Sequence, residues 1–192
     1  MHARSLGRPL VPHASTRPGR TSLPEFTPDP MPDPMPWPFT TTERIRWEDV
    51  DAVGIMRYSA VTRLMDVAEA ELLRDAGASQ MMIMEQLGAW LPRRVLHIEF
   101  HAPARLDALV ALRARVARIG TTSLTVEVEV ADADSGVVHA FGRVVIVCVG
   151  STDFLPRPVP GELRTRLAPY TVADQSSAPA AVPSPASGAH IP

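Results

Sequence analysis

The chain has 192 residues, 45% of them hydrophobic, and a formal charge of −2, which suits one domain with additional chain and excludes the strongly basic surface of a nucleic-acid binder. A single cysteine, Cys148, excludes an intrachain disulfide and a cysteine-built zinc site, and it fits a reducing compartment, so a cytoplasmic location is the expectation. No apolar run approaches the roughly 20 residues of a membrane helix, and no membrane association is expected.

In chain order, the first segment is residues 1–38. Arg4, Arg8, Arg17 and Arg20 precede the first acid, Glu25. An arginine-rich, acid-poor leader is the composition of a transit peptide, but Pro9, Pro12 and Pro18 interrupt the amphipathic helix it would need, and a secretory apolar stretch is missing. Ten of the 20 prolines lie at or before Pro38 and eight at or after Pro156, so proline sets the domain boundaries. The tract TPDPMPDPMPWPF (27–39) favours extended chain over packed structure. Residues 169–192 read in the same way. Both ends are expected to be disordered, with a docking linker as the alternative, and residues 39–168 to fold.

Within the domain, Thr40–Trp47 reads as a strand with Ile45 and Trp47 on one face. The segment RWEDVDAVGIMRY (46–58) follows, with three carboxylates in four positions. From Ser59 to Ala76, Val61, Leu64, Met65, Ala68 and Leu72 recur at spacings of three and four. Arg63, Asp66, Glu69 and Arg74 fill the other side, which predicts an amphipathic helix stopped by Gly77. SQMMIMEQLG (79–88) predicts a shorter helix whose methionines fill gaps in the core.

The period then changes to two. In RVLHIEFH, Leu96, Ile98 and Phe100 alternate with His97, Glu99 and His101. LVALRARVARI (109–119) and TSLTVEVEV (122–130) alternate likewise, and VHAFGRVVIVCV (138–149) is apolar on both faces, as a central strand would be. Short connections make consecutive strands antiparallel neighbours. The predicted class is α+β, in the order β-α-β-β-β-β, with one long helix covering one face of a five-stranded antiparallel sheet. His97 and His101 are about 13 Å apart by strand rise, too far to grip one metal, and are expected to be pocket or interface residues. Arg93, Arg94, Arg113, Arg115 and Arg118 are expected either to meet phosphates or to form the solvated face of a sheet. Cys148 is expected in the core.

This order of elements resembles the hotdog fold, and the motifs resemble the 4-hydroxybenzoyl-CoA thioesterase family. The residues that carry the resemblance are Asp49-x-Asp51-x-x-Gly54 after the first strand, Ile55 and Met56 before the helix, and Glu71-x-Leu73-Arg74 near its end. The Pro103-Ala104 junction and the exit at Arg157-Pro158 complete it. Ala60-Val61 stands where many members have Asn-Tyr, and Arg57 where they have an aromatic residue, which leaves the acyl group open.

The resemblance implies an acyl-CoA or acyl-carrier-protein thioesterase that needs no metal and no cofactor, coenzyme A being part of the substrate. It implies that Asp51 is the nucleophile or general base, with Gly54 turning the loop and the backbone amide of Tyr58 holding the oxyanion. Ile55, Met56, Arg57, Arg93 and Arg94 are the implied substrate-binding residues. Glu48 and Asp49 are read as solvated or structural. Some members use a helical glutamate instead, for which Glu69 is the position here. A homodimer or homotetramer paired through sheet edges is also implied. The alternatives are an acyl-thioester binder without catalysis and, further off, a hotdog dehydratase or hydratase.

Overall fold

The computed structural model describes residues 37–172; of the segments expected to be disordered, 1–38 and 169–192, residues 1–36 and 173–192 lie outside the described residues, while Ala168–Tyr170 form a 3-10 turn. Strand β1 (Phe39–Arg44) leads into a short 3-10 turn, Trp47–Asp49, and then into helix α1 (Tyr58–Asp75). Helix α2 (Gln80–Leu87) follows, with the Ser79 side chain accepting from the Met82 N–H and left-handed Gly88 closing its end. Strands β3 (Arg93–Phe100), β4 (Leu109–Ile119), β5 (Ser123–Asp132) and β6 (Val138–Val147) complete one antiparallel sheet with β1. Its spatial order is β1-β4-β5-β6-β3. The five-stranded sheet and the long helix are as the sequence pattern predicts.

Three elements were not anticipated. Strands β2 (Ala89–Trp90) and β7 (Val149–Gly150) pair as a separate ribbon, and helix α3 (Gly161–Leu167) buries Leu163 and Leu167. A two-residue ribbon and a helix of two turns are too short to leave a readable period. The first strand also ends earlier than expected. Ile45 leaves the ladder, is fully buried, and donates its N–H to the Ala108 carbonyl at 2.9 Å. Trp47 opens the turn instead of closing the strand, and 78% of its surface is exposed.

The core forms where α1 lies across the sheet. Val61, Leu64, Met65, Ala68 and Leu72 of α1 join Val110, Leu112, Ala114 and Val116 of β4, Leu124, Val126, Val128 and Val130 of β5, and Ala140, Val144 and Ile146 of β6 in one cluster. Truncating one of the fully buried leucines to alanine costs about 2–5 kcal/mol. Gly142 leaves room for the Met65 side chain of α1, because a Cβ there would overlap its thioether.

The other face of the sheet is only in part the solvated surface that its charges suggested: Arg118 stays exposed, but Arg113 and Arg115 are not free. Arg113 lies directly across from Glu129, and Arg115 from Glu127. Arg113 Nη1 reaches Glu129 at 2.7 Å, while Glu127 takes Arg115 at 2.6 Å and Arg143 at 2.6 Å. Arg115, Glu127 and Glu129 are buried, and the Trp37 ring stacks on the Arg115 guanidinium. Arg113 and Arg115 are thus tied within the sheet.

Candidate active site

The acidic segment forms a small hairpin. Val50 and Met56 pair across it, the Asp51 N–H reaches the Ile55 carbonyl at 2.9 Å, and the Gly54 N–H reaches the Asp51 carbonyl at 3.0 Å. Gly54 has φ +78°, a conformation that glycine adopts without strain. The returning limb is fixed twice: Met56 N–H bonds Ala104 O at 2.8 Å, and Arg57 N–H bonds Asp49 O at 2.9 Å. The hairpin therefore hands the chain to α1 in a set direction and rests on the Pro103-Ala104 junction.

Its two aspartates have opposite surroundings. Asp49 is 2% exposed; its carboxylate takes the Nε of Arg63 at 2.9 Å together with that residue's Nη2, and the Arg46 N–H at 2.9 Å. Burial alone would raise its pKa, but the Arg63 hydrogen bond, the Arg46 N–H and the charges of both arginines outweigh burial and hold it below the usual carboxylate range. Asp49 joins the turn to α1. Asp51 is exposed, and one of its oxygens, Oδ1, accepts from Val53 N–H at 2.9 Å and Ile55 N–H at 3.3 Å. Its Oδ2 has no hydrogen-bond donor among the described residues.

Asp51 lines a cavity of about 450 Å³ with Trp47, Glu48, Val50, Ala52, Gly54, Arg57 and Leu106. Of the expected site residues, Asp51, Gly54 and Arg57 therefore share one space. Ile55 faces Arg105 in an isolated bridge, and Met56 is partly buried against the core; neither lines the cavity. Tyr58 is the first residue of α1. Arg57 precedes it without making a capping hydrogen bond, and the first turn holds no acid, so among the described residues no side chain caps the donor end of the helix.

Arg93 lies elsewhere, bonded to Glu69 at 2.7 Å and Asp66 at 3.0 Å. Arg94 is exposed outside the cavity lining. Glu69, read from the sequence as part of the solvated face of α1, is 3% exposed. Burial pushes its carboxyl up to about 7, with Asp66 adding to the rise and Arg93 opposing it. The signal was present in the spacing, since position 69 follows Met65 by four and precedes Leu72 by three, within the apolar stripe. His97 and His101 flank Glu99 on one face of β3, with His97 Nε2 2.9 Å from Glu99 Oε1. Cys148 is buried, which pushes its thiol pKa up.

Residues 54–139 match the family model described as Thioesterase superfamily. The acyl-CoA thioester hydrolase YbgC of Escherichia coli is 28% identical over 124 residues, which is 65% of this chain and 88% of that protein. Among solved structures, a thioesterase-superfamily protein from Jannaschia sp. CCS1 superposes with TM-score 0.66 at 21% identity, covering 77% of this chain and all (100%) of the other. A 1,4-dihydroxy-2-naphthoyl-CoA thioesterase from Synechocystis gives TM-score 0.63 at 19% identity, over 68% of this chain and 95% of that one. Fold, motif and family match agree: the chain carries the hotdog fold, and its residues 54–139 are similar to the thioesterase superfamily.

Proposed function

We propose that this protein hydrolyses an acyl-CoA or acyl-carrier-protein thioester, with Asp51 as nucleophile or general base. The observation that carries the reading is Asp51 itself: a cavity-lining carboxylate with one oxygen fixed by its own loop and the other without a donor among the described residues. The family match and the relationship to YbgC support thioester hydrolysis.

Hydrolysis needs a group that attacks the carbonyl carbon or activates water, and donors for the oxygen as it gains charge. Asp51 either adds to the carbonyl, expelling the thiolate and leaving a mixed anhydride for water to open, or takes a proton from the water that attacks. Hydrogen bonds from Val53 and Ile55 hold the carboxylate in place in both cases. The Tyr58 amide, at the uncapped start of α1, is the proposed oxyanion donor, with Gly54 keeping the loop tight. An oxyanion donor is worth roughly 10²–10³ in rate, and a general base roughly 10²–10⁴.

Arg57, which lines the cavity, and Arg94 are the proposed cations for the coenzyme's phosphates; like exposed Arg105 and Arg118 they take part in no ion pair among the described residues, whereas Arg93 is held by two acids. The proposed functional unit is a homodimer or homotetramer joined through the sheet edge, and coenzyme A is needed only as part of the substrate.

The test is release of free thiol from aliphatic and aromatic acyl-CoA series by wild type and Asp51→Asn. Wild type is expected to turn over at least one series, and Asp51→Asn to lose about 10²-fold or more in kcat. Turnover unchanged in Asp51→Asn would remove Asp51 from the mechanism. No turnover of any CoA or carrier-protein thioester would favour an acyl-thioester binder.

A further inference from the structure

Three strands in the middle of the sheet turn a dry, charged strip away from α1. Arg115 of β4, Glu127 and Glu129 of β5 and His139 of β6 are 6%, 3%, 4% and 6% exposed. On the edge strands of the same face, Thr40 and Thr42 of β1 and His97 and Glu99 of β3 are exposed. Charged side chains on an open sheet face keep their contact with water, so the middle of this face is covered. Its described cover is Trp37, whose ring centroid lies 4.6 Å from the Arg115 guanidinium carbon.

The strip is also short of hydrogen-bond partners. Arg115 Nη1, His101 Nε2 and both ring nitrogens of His139 are buried and have no partner among the described residues. All four lie on this face. Ala140 packs toward α1, so alternation turns His139 away from it. β6 carries one extra residue there, since Val130 pairs with Ala140 and Ala131 with Val138, and such a bulge aims a side chain. His101, whose N–H bonds the His139 carbonyl, lies beside it. Buried polar groups are costly without a partner, and each requires an explanation in the fold.

The path of the chain supplies one. The register of β1, with Phe39 opposite Ala114, would bring residue 37 opposite Val116. That place on β4 is held by the other end of the domain: Thr171 bridges Val116, and the Val172 N–H reaches the Val116 carbonyl at 3.4 Å. The chain ahead of Phe39 therefore leaves the ladder, and Trp37 leaves it over Arg115. We propose that residues 32–36, Pro-Asp-Pro-Met-Pro, continue across this strip from β4 over β5 to β6, as a strap anchored by Trp37.

Length and chemistry both suit that occupant. Five residues of extended proline-rich chain span about 15 Å, and the two strand spacings from β4 to β6 are about 10 Å. Within the segment only Asp33 and Met35 carry a backbone N–H, whereas every residue has a carbonyl and Asp33 adds a carboxylate. The segment thus offers acceptors in excess, and Arg115 Nη1 and the imidazole N–H groups require acceptors. On the strip, the three arginines 113, 115 and 143 face two glutamates, 127 and 129, and the Asp33 charge offsets the difference. Proline also limits the conformational freedom lost on docking.

Carbethoxylation of histidines in the full chain, followed residue by residue in a mass spectrometer, reads the cover. Exposed His97 is the internal reference. In wild type, His139 is expected to react about tenfold more slowly than His97, or slower still. Replacing residues 32–36 with glycine and serine is expected to raise the His139 rate about tenfold and to leave His97 unchanged. Trp37→Ala is expected to act in the same direction, and Trp37→Phe to keep the protection. Cooperative thermal unfolding establishes that each variant is folded; if Trp37→Ala does not fold, the replacement of residues 32–36 decides. A wild-type His139 rate equal to that of His97, or one unmoved by that replacement, overturns the proposal. Protection that grows with protein concentration assigns the cover to a second copy and overturns it as well.

Discussion

The hairpin at residues 50–56 and the back of the sheet both carry charge, under opposite constraints. On the sheet, Glu127 and Glu129 are buried and each is matched by arginine across the strand. In the hairpin, Asp51 is exposed, and among the described residues only its own loop amides bond it. A buried charge must be paired to be tolerated, so its partners fix it and leave nothing for a substrate. An exposed charge on a pinned loop is free to react. Asp49 and Asp51 repeat the contrast two residues apart.

The largest expected effect on this comparison is kinetic. Asp51→Asn should remove about 10²-fold or more of the turnover while the thermal midpoint stays within a degree or two of wild type, since an exposed side chain gives little stability. A large fall in the midpoint would make Asp51 a structural residue like Asp49. The reverse result is expected at the sheet. Glu127→Ala leaves Arg115 buried without its partner and should lower unfolding free energy by about 3–5 kcal/mol. Denaturant titration checks it, and folded variant should keep the wild-type KM.

Glu69 lies between the two extremes, being buried and incompletely compensated by Arg93. Its pKa in the folded protein, about 7, is above the ordinary 4.5, so the folded state holds the proton more tightly than the unfolded chain. The resulting stability is fully present below about pH 4.5 and is lost as pH rises through 7. Relative to Glu69→Gln, wild type should lose about 3 kcal/mol between pH 4 and pH 8. A constant difference across that range, followed by chemical denaturation, would mean that Arg93 compensates the charge. The smallest effect belongs to Glu162, an exposed i,i+4 partner of Arg166 on α3. Glu162→Ala should change stability by less than about 0.5 kcal/mol, by the same measurement.

The sequence by itself determined the sheet, the long helix and the loop that joins them. Alternation of Leu124, Val126, Val128 and Val130, and the three-and-four spacing from Val61 to Leu72, follow directly from which side chains meet the core. It also singled out Asp51 and Gly54, because a motif is a local string and the hairpin it forms is closed by bonds between neighbours. Tertiary structure decided what depends on partners distant in the chain. Arg115 became a tied, buried group only when β4 and β5 aligned it with Glu127, and Glu69 became a near-neutral acid only when α1 settled on the sheet beside Arg93. The fate of a charge is set by its desolvation and by its partner, and both come from parts of the chain that a local pattern does not contain.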